Sequence, residues 1–151
     1  MKKTNISGSN DQRKVNPEWF TAKTWMKVLS EKIQTKDQDI YHVHFEKGSR
    51  TKLHEHDGNQ ILIVTSGQGS LELFKKMGNS KKEFKIKKIQ TIPLKEGDIV
   101  HIPKKILHTH GSTRKNIKFS HIAVNLLSKN KKTYKTIWYE SDFKKQVTKI
   151  I

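Results

Sequence analysis

Eight histidines stand in this chain, and their spacing is its most chemically informative feature. His54 and His56 are two apart, so on an extended strand both rings project from one face. Gln60 follows four residues after His56, beyond Asp57-Gly58-Asn59, where a turn can return its amide to the same side. His108 and His110 form a second two-apart pair, and His121 lies inside an apolar run. Imidazole nitrogen and amide oxygen suit borderline divalent ions such as Mn, Fe, Co, Ni and Zn. Two ligands from one strand and one from another would fix such an ion and leave coordination positions open. His42, His44 and His101 lack this company and read as ordinary hydrogen-bonded strand residues. There is no cysteine, so thiolate ligands and disulfides are excluded.

The elements that must position these side chains read as short strands. Alternating runs cover residues 19–29, 39–46, 51–56, 60–65, 69–76, 82–92, 98–102, 106–110 and 117–127. Gly48, Gly58, Gly67, Gly78, Gly97 and Gly111 punctuate them. Many short strands with regular turn signals indicate a sandwich or barrel. Residues 75–91, with Gly78-Asn79-Ser80 between two Lys-rich runs, read as an exposed hairpin. Residues 139–148 read as one short C-terminal helix with Ser141 as N-cap. Residues 1–16 are polar and aperiodic and read as a flexible tail, leaving 17–151 as one domain.

The net charge is +17, almost all of it from lysine, with arginine only at positions 13, 50 and 114. Arginine is the side chain best suited to reading phosphates and guanine edges. Lysines scattered over turns and strand faces read instead as a solvated surface, so no specific nucleic-acid partner is expected. No run approaches the roughly 20 apolar residues of a membrane span. No apolar stretch follows Met1-Lys2-Lys3, so a secretory signal is not expected and a cytoplasmic location is.

The longer spacing is more specific than any single pair. Gly48, five residues, His54-x-His56, three residues, Gln60, six residues and Gly67 make one pattern. Gly97, five residues, Pro103 and then His108 make a second. Together they resemble the two sequence motifs of the cupin superfamily, which implies an all-β, single-domain jelly-roll barrel. Three positions depart from the usual pattern: Gln60 stands for Glu, Lys105 for Gly and Ser112 for Asn. Pro17-Glu18-Trp19-Phe20-Thr21, Gly48-Ser49-Arg50-Thr51, residues 58–65, Gly97-Asp98-Ile99-Val100, His108-Thr109-His110-Gly111 and His121-Ile122-Ala123 extend the likeness. They are similar to a bacterial and archaeal subfamily described as manganese-dependent cupin hydroxynitrile lyases, often labelled mandelonitrile lyase or carboxymuconolactone decarboxylase-like. That subfamily has three-His-one-Gln metal sites, so Gln60 conforms to it. The resemblance implies His54, His56, Gln60 and His108 as metal ligands, with manganese first among the candidate ions. It implies His110 as a second histidine beside the metal and His121 as a further cavity histidine.

Strand parity adds a pocket. With His121 inward, Phe119, Ala123 and Asn125 share its face, and Tyr41, Val43 and Phe45 make the apolar face of the strand before the first motif. Tyr41, Val43, Phe119 and Asn125 are the expected substrate-contacting residues, with Leu62 and Val64 completing an apolar wall. The chemistry the resemblance implies is a lyase acting on a small hydroxy or carbonyl compound, such as cleavage of a cyanohydrin to a carbonyl compound and cyanide. His110, expected just outside the coordination sphere, would move the proton and His121 would orient it. An Fe(II) dioxygenase and a non-catalytic small-molecule-binding barrel are the alternatives. Bulky residues at 19–29 are expected to pack across a two-fold partner, giving a homodimer or a dimer of dimers.

Overall fold

Alternation becomes two sheets facing one another across an apolar interior. The computed structural model describes residues 1–8, 13–127 and 133–151. In the first sheet, β1 (Arg13–Lys14), β2 (Thr24–Val28), β3 (Gln38–Phe45), β9 (Phe119–Leu126), the first part of β5 (Gln60–Met77) and β7 (Ile99–Ile102) pair antiparallel in that order. In the second, the rest of β5 pairs with β6 (Phe84–Lys95), and β11 (Gln146–Ile150), β10 (Thr136–Ser141), β4 (Leu53–His56) and β8 (Leu107–Ser112) follow. β8 returns to pair with β5. This is the all-β architecture that the alternation predicts. The main core gathers Val43, Phe45, Leu62, Val64, Leu71, Ile102 and Phe119 between the sheets. A second cluster packs Leu53, Phe74, Phe84, Leu107, Tyr139 and Val147. No helix among the described residues is long and apolar enough to cross a membrane.

The two runs at 60–65 and 69–76 are one strand. β5 shifts register between Val64 and Ser66 and passes from one sheet to the other. Gly67 makes this passage possible: its φ is +74°, and a Cβ there would run into the carbonyl of Lys118. The Lys-rich hairpin is present, with Met77 opposite Lys85 at its end.

The C-terminal helix is absent. Residues 136–150 form the β10–β11 hairpin instead. Asp142 Oδ1 accepts from the amides of Lys144, Lys145 and Gln146 at 2.9, 2.8 and 2.9 Å, and Phe143 takes φ +55°. Such capping chemistry serves a turn as well as a helix start. Beyond it, Val147 is fully buried in the second core, and β11 pairs with β6. Burial of a β-branched residue in a sheet outweighs a weak helical preference.

The run at 19–29 divides into a 3₁₀ turn (Pro17–Trp19), β2 and a short helix, α1 (Leu29–Ile33). Its bulky residues are largely used within the chain: Trp19 stacks on Trp138, Phe20 packs against Phe45, and Leu29 is buried. The segment read as a flexible tail includes β1, paired with β2. Ile6 and Gly8 offer carbonyls to the Lys27 ammonium at 3.2 and 3.0 Å.

Candidate metal centre

The centre is built on three neighbouring strands of the second sheet. β4 lies between β8 and β10, so His108, His54 and Trp138 form one cross-strand row, and Thr136 stands opposite His56. The His54 and His108 rings lie 4.1 Å apart, and Trp138 stacks on His54 at 4.3 Å with a 28° interplanar angle. His54 Nδ1 donates to Lys52 O at 2.8 Å, and His108 Nδ1 to Ile106 O at 2.7 Å. His56 Nδ1 is bonded to Thr136 Oγ1 at 2.8 Å. A carbonyl can only accept, so His54 and His108 are held with the Nε2 lone pair free, the arrangement usual behind a metal-bound imidazole.

Gln60 approaches from the first sheet. Its Nε2 donates to Asn125 Oδ1 at 2.8 Å, which turns Oε1 away from that bond. His56 Nε2, His108 Nε2, His110 Nε2 and Gln60 Oε1 are all buried without a hydrogen-bond partner among the described residues. An orphaned buried polar atom costs about 1–3 kcal/mol. Four of them together, all able to present lone pairs, fit a cation.

The ring nitrogens of His54, His108 and His110 lie within 4.8 Å of one another, so this triad could hold a metal ion. His110 was expected outside the coordination sphere; its nitrogen is instead inside the range of the same cluster. Nitrogens about 2.1 Å from one tetrahedral zinc-like ion are about 3.4 Å apart, so the rings would draw together on binding one. His121 lies behind it, with Nε2 at 3.1 Å from His110 Nδ1.

Burial holds these imidazoles neutral. It is the largest cause lowering His56 to about 3, His108 to about 4 and His121 to about 3. His54 and His110 are lowered well below the ordinary value by burial and then by their histidine neighbours. Neutral imidazole is the form that binds metals.

A cavity of about 360 Å³ opens onto this cluster. Tyr41, Val43 and Asn125 line it as expected, together with Phe45, His54, His56, Gln60, His110 and His121. Phe119 does not. It is 1% exposed and lies one layer deeper, 5.7 Å from both Phe45 and His121. Leu62 and Val64 likewise belong to the core. Trp19, Phe20, Met26, Tyr134, Thr136 and Trp138 form much of the wall and were not foreseen. The signal for Trp138 was the strand-like run Thr136-Ile137-Trp138-Tyr139, which overlaps the segment read as a helix. His42 and His44 occupy the opposite face of β3, where His42 Nε2 bonds Thr65 Oγ1 at 2.9 Å. His101 is exposed. Lys105, where a glycine is usual, takes φ +65°, the conformation that glycine would relieve.

A family model described as a cupin domain matches residues 41–122. No curated protein matches the chain at a significant level. A cupin-like protein from Thermotoga maritima is 29% identical over 91% of this chain and 90% of its own, with a TM-score of 0.65. A predicted oxalate decarboxylase from the same organism is 21% identical over 78% of this chain and 92% of its own, with a TM-score of 0.57. The S161A mutant of Bacillus subtilis oxalate decarboxylase is 16% identical over 84% of this chain and 30% of its own, with a TM-score of 0.59. At these identities the two decarboxylases speak for the fold alone.

Proposed function

Because this chain belongs to the cupin domain family, we propose that it is a metal-dependent lyase acting on a small hydroxy or carbonyl compound, in the manner of a hydroxynitrile lyase. The observation behind this reading is the set of buried, partnerless acceptor atoms on His56, Gln60, His108 and His110. His54, His56, Gln60 and His108 would hold one divalent ion, manganese first among the candidates. Bound there, the ion would supply Lewis acidity toward the substrate oxygen.

The remaining steps belong to the chain. In the tautomer that donates its Nδ1 hydrogen to His121 Nε2, 3.1 Å away, His110 presents an Nε2 lone pair to the cavity. That nitrogen takes the proton of a substrate hydroxyl. In a cyanohydrin, the carbon–carbon bond to the nitrile then breaks and its electron pair leaves with cyanide. The oxygen becomes a carbonyl, and His110 returns the proton to cyanide. His121 holds the His110 ring in the required tautomer, and Thr51 Oγ1 accepts the His110 amide at 3.0 Å. Trp19 on Trp138, with ring centroids 5.2 Å apart, walls the reaction from water.

Elemental analysis of purified protein, followed by a mandelonitrile cleavage assay with each metal restored, tests this reading. His54→Ala and His108→Ala should abolish bound metal. Well-folded wild type that holds no ion even after soaking in each metal would end the metal reading. Bound metal with no turnover of any cyanohydrin would favour a non-catalytic binding barrel.

A further inference from the structure

The cavity has two ends. At the inner end are the histidines. At the other, three in-register residues cross the first sheet: Gln60 and Asp39 stand on either side of Asn125. Parity puts Asp39 on the same face of β3 as Tyr41 and Val43, and all three line the cavity. Two strand spacings, about 9–10 Å, separate Asp39 from Gln60.

The charge on this wall differs in sign from that of the chain. The sequence holds 31 lysines and arginines, yet none lines the cavity among the described residues. Asp39 is the one carboxylate there, and no ion pair or hydrogen bond to its side chain is found among the described residues. Tyr41 and Tyr134 share the lining, and burial followed by the Asp39 charge raises the Tyr41 phenol, which stays protonated. Aromatic faces beside an unpaired carboxylate are complementary to an ammonium group. An organic anion would meet a carboxylate and no cation other than the metal.

We infer that Asp39, with Tyr41 and Tyr134, forms a recognition subsite for a cationic amine, so that the substrate class is small amino-alcohols or amino-carbonyl compounds. This rests on the proposed metal centre for its other end: the substrate oxygen lies toward the histidines, and like charge keeps the ammonium at the far wall. A charge-assisted hydrogen bond there corresponds to about a ten- to hundredfold gain in affinity.

The probes are 4-(aminomethyl)benzyl alcohol and 1,4-benzenedimethanol, which match in shape and differ in charge. Each is titrated calorimetrically at pH 7 into full-length protein supplied with manganese, with metal content measured on the same preparation. The amine should bind at least tenfold more tightly than the diol. Asp39→Asn should bring the amine to within about threefold of the diol, with diol affinity unchanged. Equal binding of the two probes by wild type, a need for no variant, would overturn the inference. So would failure of the amine to bind metal-loaded protein, or an amine preference that survives Asp39→Asn in a variant of normal melting temperature. An Asp39-dependent preference in protein that holds no metal would uphold the subsite and remove the metal centre. Bound metal without the preference would do the reverse.

Discussion

Replacing His110 with alanine separates three roles for one ring. Among the described residues the ring has one polar partner, His121 Nε2 at 3.1 Å, and it packs edge-on against Phe45 at 5.9 Å. Its removal leaves His121 Nε2 buried and unpaired, costing about 1–3 kcal/mol. For a chain of this size each kcal/mol lowers the melting temperature by about 2–4 °C. If His110 transfers the proton, turnover falls about 10²–10⁴-fold while bound metal stays at the wild-type level. Metal content, melting temperature and mandelonitrile cleavage are measured on one preparation. Loss of metal would make His110 a ligand, consistent with its place in the cluster with His54 and His108. Full activity per metal-loaded molecule would refute the proton-transfer argument outright.

Gln60→Glu adds an anionic ligand and should tighten metal binding, read by competition with a chelator; weaker binding would show that the Gln60–Asn125 bond matters more than charge. The metal-free protein should lose stability in acid. Its cavity histidines are depressed below the unfolded value of 6.5, so their contribution is complete above about pH 6.5 and is lost as pH falls toward 4 and 3. Each proton taken up only by the unfolded chain adds a slope of about 1.4 kcal/mol per pH unit, and a melting temperature flat from pH 7 to 4 would contradict the neutral assignment. The bulky residues at 19–29, expected to meet a two-fold partner, are largely used within the chain, and we propose instead the outer face of the first sheet, with Ile61, Ile63 and Ile99, the last 70% exposed, as the dimer contact. Light scattering at tens of micromolar should report twice the monomer mass, and Ile99→Glu should reduce it.

The histidine cluster was legible because a strand has a period of two. Once residues 51–56 are a strand, His54 and His56 must share a face. The same parity put His121, Tyr41, Val43 and Asn125 inward. Parity does not give depth, which is why Phe119 was placed on the cavity wall when it lies beneath it. The approach of His110 to His54 and His108 was not legible, because spacing along a strand does not report how rings tilt toward a common point. Trp138 was missed for a different reason. It precedes a segment whose Ser141 and Asp142 signal a helix start, and only pairing with β4 and β6, distant in sequence, decides that the segment is a hairpin.

One consequence follows from β5. Its Gln60 end pairs with β7 and β9, and its Met77 end with β6 and β8, so a single covalent strand belongs to both sheets. Neither sheet can melt alone without tearing hydrogen bonds from the strand that completes the other. Calorimetric and van't Hoff enthalpies of unfolding should therefore agree, as for one cooperative unit. Amides near the Gly67 crossing should exchange with deuterium only through global opening. Gln60 stands on that strand, so the ligand it contributes is anchored in the last part of the molecule to come apart.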